Sequence, residues 1–227
     1  IYFNDARHYY LFVFEPPIQM EDAWTPIDEI SGTSVNSFSY GVERGDGMFY
    51  PSKVGMQFGT NIQPFNQAAY WRTWNNMQSL IDRGYDPLQL LIERAHDKNL
   101  DFFASLRLGS YGGMDPSLDT KTGGQGYVNK EVRDHVYEVL KELVTDYDTD
   151  GIELDFAAPP GGASFYFQPE DVPKNTQLMT EWVKQVSEMT RGANNTGKEI
   201  GARIYPTKAA NEAAGLDITN WIEQKLI

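Results

Sequence analysis

Between residues 86 and 205 the chain alternates between two rhythms. One places an apolar residue every three or four positions, the other every second position. Asp86-Pro87 opens the first helical stretch, because an aspartate oxygen caps free backbone N–H groups and proline fits the first turn. Leu88, Leu91, Ile92 and Ala95 follow at helical spacing up to Lys98. Leu100 to Arg107 then alternates and predicts a strand. Asn129 is a candidate cap for a second helix with Val132, Val136, Val139, Leu140, Leu143 and Val144 on its inner face. The strand 151–156 follows. Asn175 is a candidate cap for a third helix burying Leu178, Met179, Trp182, Val183, Val186 and Met189, and the strand 200–205 comes after it. Earlier in the chain, 35–40 reads as a strand and 66–83 as an additional helix ended by Gly84. The first strand is either 1–4 or 9–14.

Strands that alternate with helices imply a parallel sheet. Two parallel architectures compete. In an open doubly wound sheet the central strands are apolar on both faces. Successive side chains of a strand point to opposite faces. Ile152, Leu154 and Phe156 therefore share one face, and Glu153 and Asp155 the other. Ser105 and Arg107 share a face in the preceding strand, and Gly201, Arg203 and Tyr205 in the following one. Three successive strands with one polar face favour a barrel with helices around it. The expected fold class is α/β of the (β/α)8 TIM-barrel type, as a single domain over 1–227. Five or six βα units fit in this length, so the barrel is expected to be incomplete at its C-terminal side.

Composition narrows the partners. The 227 residues carry 19 basic and 32 acidic side chains, a net charge of −13, which argues against nucleic acid as a partner. No run approaches the ~18 apolar residues of a membrane span. With no cysteine, disulfides, thiolate metal sites and a cysteine nucleophile are excluded. Three scattered histidines form no His-x-x-x-His zinc pattern. Neither a metal nor a cofactor is expected. The chain starts at Ile1-Tyr-Phe and ends in the amphipathic run Trp221–Ile227, which reads as a processed or truncated piece. A secreted or periplasmic location is expected.

Tyr147-Asp-Thr-Asp-Gly-Ile-Glu-Leu-Asp-Phe156, preceded by Asn129-Lys-Glu-Val-Arg133, resembles a family of glycosyl-hydrolase-like barrels, the family 10 glycosyl hydrolase-like proteins. Gly84-Tyr-Asp-Pro-Leu-Gln89 is similar to that family's helix start before the third strand, Ser105-Leu-Arg107 to the end of that strand, and Gly215-Leu-Asp-Ile-Thr-Asn-Trp221 to the approach to the sixth. Two segments depart from the pattern. Leu108–Gly113 stands where the family has a polar Asn-Asp-x-His run, and Ala157-Ala-Pro-Pro160 where it continues toward Arg-His-Pro. The resemblance implies a hydrolase acting on glycosidic bonds of an oligo- or polysaccharide.

Such hydrolysis uses two carboxyl groups, one acid and one base or nucleophile. Asp155 closes its strand, where barrel catalytic residues cluster, and is the candidate acid/base or nucleophile. Glu153 lies about 7 Å deeper, as a partner held by Arg107 or Arg203. These four charges also fit a purely structural ion-pair layer. The second carboxyl is open, with Glu15 and Asp5 as candidates near the first strand. Tyr40 and Tyr205 close their strands and are candidate ligand contacts. Tyr166 and Trp71 offer aromatic faces of the kind that suit sugar rings. A non-catalytic carbohydrate-binding barrel is the alternative. A metal held by Asp155 and Glu153 is a third reading, without an evident third acidic ligand.

Overall fold

The structure is a computed structural model that describes residues 1–5, 10–44, 47–109, 114–121, 123–124, 126–157, 166–192 and 197–227. Among these residues seven strands run in chain order: β1 (Tyr2–Asp5), β2 (Ser37–Gly41), β3 (Glu43–Arg44), β4 (Gly47–Met48), β5 (Asp101–Arg107), β6 (Gly151–Asp155) and β7 (Glu199–Arg203). The helices are α1 (Tyr10–Val13), α2 (Met20–Asp28), α3 (Ala68–Asp82), α4 (Pro87–Asp97), α5 (Lys130–Thr145), α6 (Val172–Thr190), α7 (Lys208–Ala213) and α8 (Ile218–Glu223). The ambiguity at the start is resolved: Tyr2–Asp5 is the strand, and 10–13 forms a short helix.

β1, β2, β5, β6 and β7 form one parallel sheet in that order, and β3 and β4 form a small antiparallel pair. The neighbour relations follow the sequence without the reversal that defines a doubly wound sheet. The sheet is open: β1 and β7 are its edges and do not pair with each other. A closed barrel is thus not what these residues form.

The two faces differ as alternation requires. Register aligns Phe38 and Tyr40 with Phe102 and Ala104, and these with Ile152 and Ile200. All are buried, together with Leu106 and Leu154, in the hydrophobic core that also takes in Leu91, Val136, Leu140 and Val183 from the helices. The other face carries Phe3 and Asp5, Ser39, Ser105 and Arg107, Glu153 and Asp155, and Gly201 and Arg203. Flat, five strands at ~4.8 Å spacing would hold β1 and β7 about 19 Å apart. Yet the Arg203 guanidinium of β7 sits 4.3 Å from the ring centre of Phe3 on β1. The sheet is therefore curled, with the polar face concave.

Local chemistry places the elements. Asp86 accepts from the backbone N–H groups of Leu88 (2.8 Å) and Gln89 (3.3 Å), starting α4 as its Asp-Pro sequence predicts. Gly151 opens β6 because a Cβ there would collide with the Glu199 carbonyl oxygen and the Phe103 ring. One cap differs from expectation. α6 begins at Val172 rather than after Asn175, whose side chain instead donates to the Asp171 carbonyl at 2.9 Å. Asn129 precedes α5 but makes no cap bond. Its amide donates to the Leu118 carbonyl at 3.1 Å.

Candidate functional site

The C-terminal ends of the parallel strands converge at one rim of the concave face. Asp155, the last residue of β6, has no accessible surface. Its Oδ2 lies 3.2 Å from Arg203 Nη1, and its Oδ1 accepts from the Ala157 N–H at 3.0 Å. Burial raises its carboxyl to about 6 against the pull of Arg203, the Ala157 N–H and Arg107, with Glu153 pushing the same way as burial. Arg203 keeps 40% of its side chain exposed. The acid is thus covered while its cation faces outward.

Arg107 on β5 reaches across β2 to Asp5 on β1, Nη2 to Oδ2 at 2.5 Å. Its own backbone N–H donates to Glu43 Oε1 at 3.0 Å. Glu153, two residues below Asp155, accepts from the hydroxyls of Ser105 (2.7 Å) and Ser39 (3.2 Å). Neither arginine holds it. Arg107 and Arg203 do take part in the polar layer, but with Asp5 and Asp155 as their ion-pair partners. Register decides this. Arg107 is paired with Asp155 across the ladder and Arg203 likewise, so both lie at the level of Asp155 and above Glu153.

The remaining expected site residues divide. Tyr205 follows β7, is 9% exposed, and lies within range of the charge of Asp155 and beside Tyr166. Tyr166 is itself fully buried, donates its hydroxyl to the Phe156 carbonyl, and packs edge-on against Tyr127 and Phe156. It supports the rim from below and offers no face to a ligand. Tyr40 points to the apolar side, stacked with Phe38 and tilted on Phe102. An even position in β2 faces the helices, so its closing place in the strand does not bring it to the polar face. Trp71 is 48% exposed on α3. Glu15, weighed as a second carboxyl, pairs with Arg72 at 2.5 Å on the surface.

Glu43 was not among the expected residues. It is completely buried, and burial holds its carboxyl well above the usual carboxylate range. Arg107 opposes that shift, while the charges of Asp155 and Asp5 add to it. The signal for it is in the sequence: Ser37, Ser39, Gly41 and Glu43 continue a period of two along the polar face. Among the described residues no cluster of three His, Asp or Glu side chains is spaced to hold a metal ion. No described helix is long and apolar enough to cross a membrane.

No protein-family model matches the chain, and no curated protein matches it in sequence. Solved structures do resemble it. α-L-Fucosidase isoenzyme 2 from Paenibacillus thiaminolyticus aligns with a TM-score of 0.50 and 14% identity over 82% of this chain and 29% of that one. A cycloisomaltooligosaccharide glucanotransferase from Paenibacillus sp. aligns at 0.51 and 17%, over 93% of this chain and 33% of that one. A hypothetical protein from Ruminiclostridium thermocellum ATCC 27405 aligns at 0.50 and 14%, over 89% of this chain and 97% of that one. The chain thus spans about a third of each of the two carbohydrate-active enzymes. At these identities the likeness is one of fold, a helix-flanked parallel sheet of the kind found in glycosidases.

Proposed function

We propose that this chain is part of a glycoside-hydrolase-type barrel, akin to the family 10 glycosyl hydrolase-like proteins, that cleaves glycosidic bonds of an oligo- or polysaccharide. The observation that carries the reading is Asp155: a buried carboxyl, raised to about 6, at the C-terminal end of a parallel strand and on the concave polar face. That is where barrel enzymes place their chemistry. A carboxyl with that value is mostly ionised at neutral pH yet basic enough to take a proton, which suits a general base or nucleophile. Glu153, fixed by two serine hydroxyls, adds negative charge beneath it.

Barrel geometry is supported by the curl of the sheet and by its sequential strand order. It is also supported by a repeated turn. α4 leaves through Asn99 at φ 57 and Leu100, whose N–H bonds five residues back to Ala95, directly before β5. α8 leaves in the same way through Lys225 at φ 57 and Leu226, whose N–H bonds back to Trp221. A carbohydrate substrate is in keeping with a secreted or periplasmic location.

One observation favours the non-catalytic alternative, a carbohydrate-binding barrel. Both Asp155 oxygens are engaged and the side chain is covered, as expected of a group that merely orients Arg203. Reducing-end release from a polysaccharide panel, with the chain beside its Asp155→Asn variant, separates the two. Release that falls at least a hundredfold in the variant supports the hydrolase. Sugar binding without release from either protein supports the binding barrel.

A further inference from the structure

Among the described residues the polar rim contains four carboxyl groups, and three of them are balanced. Asp5 has Arg107, Asp155 has Arg203 and a backbone N–H, and Glu153 has two hydroxyl donors. Glu43 is different. It has no accessible surface, and among the described residues it has no cation within ion-pair distance and receives one hydrogen bond, from the Arg107 N–H to Oε1. Its Oε2 is buried without a partner, and so is the hydroxyl of Tyr127, which lies close enough to feel the charge of Glu43. An ionised carboxylate cannot be kept in such a place at modest cost, whereas a neutral acid can.

We infer that Glu43 is the proton-donating carboxyl of the site, the second carboxyl of a catalytic pair with Asp155. This rests on the glycosidic reading of the same site. Two carboxyl groups whose surroundings hold them in opposite protonation states at one pH divide into acid and base. Here the covered, cation-free Glu43 is the acid and the arginine-paired Asp155 the base or nucleophile. As the glycosidic C–O bond breaks, its electron pair stays on the leaving oxygen and the Oε2 proton of Glu43 transfers to that oxygen. Water supplies the hydroxyl to the anomeric carbon, and its other proton restores the carboxyl pair. Because Glu43 is covered, a sugar reaches Oε2 only when the groups above it part. Tyr127, near enough to feel the charge of Glu43, packs edge-on against Tyr166 and Trp182.

The test compares wild type, Glu43→Gln and Asp155→Asn on two classes of aryl and alkyl glycoside, with 2,4-dinitrophenol and with methanol as leaving group. Dinitrophenolate leaves without a proton, whereas methanol needs one. Glu43→Gln is expected to lower kcat/KM on the methyl glycosides by 10²–10⁴-fold, the range of general acid catalysis. On the dinitrophenyl glycosides the loss should stay below about tenfold, because that leaving group needs no proton. Asp155→Asn is expected to lose both. Equal losses on both classes in Glu43→Gln would overturn the inference. So would full activity on methyl glycosides. A wild type silent on every glycoside would overturn it together with the glycosidic reading. Infrared difference spectra then tell the two failures apart. A protonated-carboxyl band at pH 7 that disappears in Glu43→Gln leaves Glu43 a neutral acid and faults only the reaction. Absence of that band faults the acid itself. Matching near-ultraviolet circular dichroism establishes that the variants are folded.

Discussion

Two buried glutamates show how differently this fold treats the same side chain. Glu142, on α5, accepts from the Tyr50 hydroxyl (2.9 Å), the Ser52 hydroxyl (2.5 Å) and the Lys53 N–H (2.6 Å). Three donors surround its carboxylate, and it staples the segment after β4 to the helix layer. Glu43, on the concave side, has one backbone donor and an oxygen without a partner. Comparable burial thus goes with three donors in one place and a single donor in the other. Donors bought for structure are spent at Glu142, while the rim leaves Glu43 poised for a proton. Perturbed groups of the second kind gather at functional sites, although structural networks produce them too.

The contrast can be broken most forcefully at Glu142. Glu142→Ala removes the acceptor of three donors at once and should cost about 3 kcal/mol, because unmatched buried donors keep their desolvation penalty. Urea unfolding checks this, and a loss below about 1 kcal/mol would remove its role as a staple. Asp155 comes next, through pH. Its folded-state value of about 6 exceeds its ordinary 3.8, so between these limits the folded protein holds a proton that the unfolded chain has released. Its contribution to stability is present in full below 3.8 and is lost as pH rises through about 6. The loss amounts to at most about 3 kcal/mol at 1.36 kcal/mol per pH unit. Asp155→Asn should flatten the stability profile over that window, and an unchanged slope would show that another group sets it.

Glu43→Gln should change stability by no more than about 1 kcal/mol, since a neutral amide replaces a neutral acid and its oxygen still accepts from Arg107. Destabilisation as large as that of Glu142→Ala would show that Glu43 is an ion after all. The smallest effect is expected at Lys53, whose exposed ammonium pairs with Asp146 at 2.6 Å. Lys53→Ala should leave the urea midpoint unchanged, because water and salt screen such a pair and the stapling bond comes from the backbone N–H of Lys53.

Much of the frame was legible along the chain. The periods of α5 and α6 marked the buried faces, and alternation in β5, β6 and β7 separated the polar face from the apolar one. Side-chain direction is a local property of a strand, so Asp155 and Glu153 could be put on one face without knowing their neighbours. The pairing of charges was not legible in this way. Glu153 was expected to meet an arginine and meets Ser39 and Ser105 instead, because register sets Arg107 and Arg203 one level higher. Tyr40 was expected at a ligand and faces the core, since its position in β2 falls on the even side. Glu43 continues the period of two from Ser37, but its burial depends on neighbours distant in the chain.

The sequence by itself determined the alternation of helices and strands between residues 86 and 205, the acidic and arginine-bearing face, and the end of β6 as the place to look for chemistry. These depend on periodicity, which a chain carries within a few residues. Only the tertiary structure decided that the sheet curls until Arg203 covers Phe3, that Asp5 and Asp155 take the two arginines, and that Glu43 is buried without a counter-ion among the described residues. Those outcomes depend on which strands become neighbours and how far the sheet bends. Both are set by contacts between residues distant in the chain, and no local pattern encodes them.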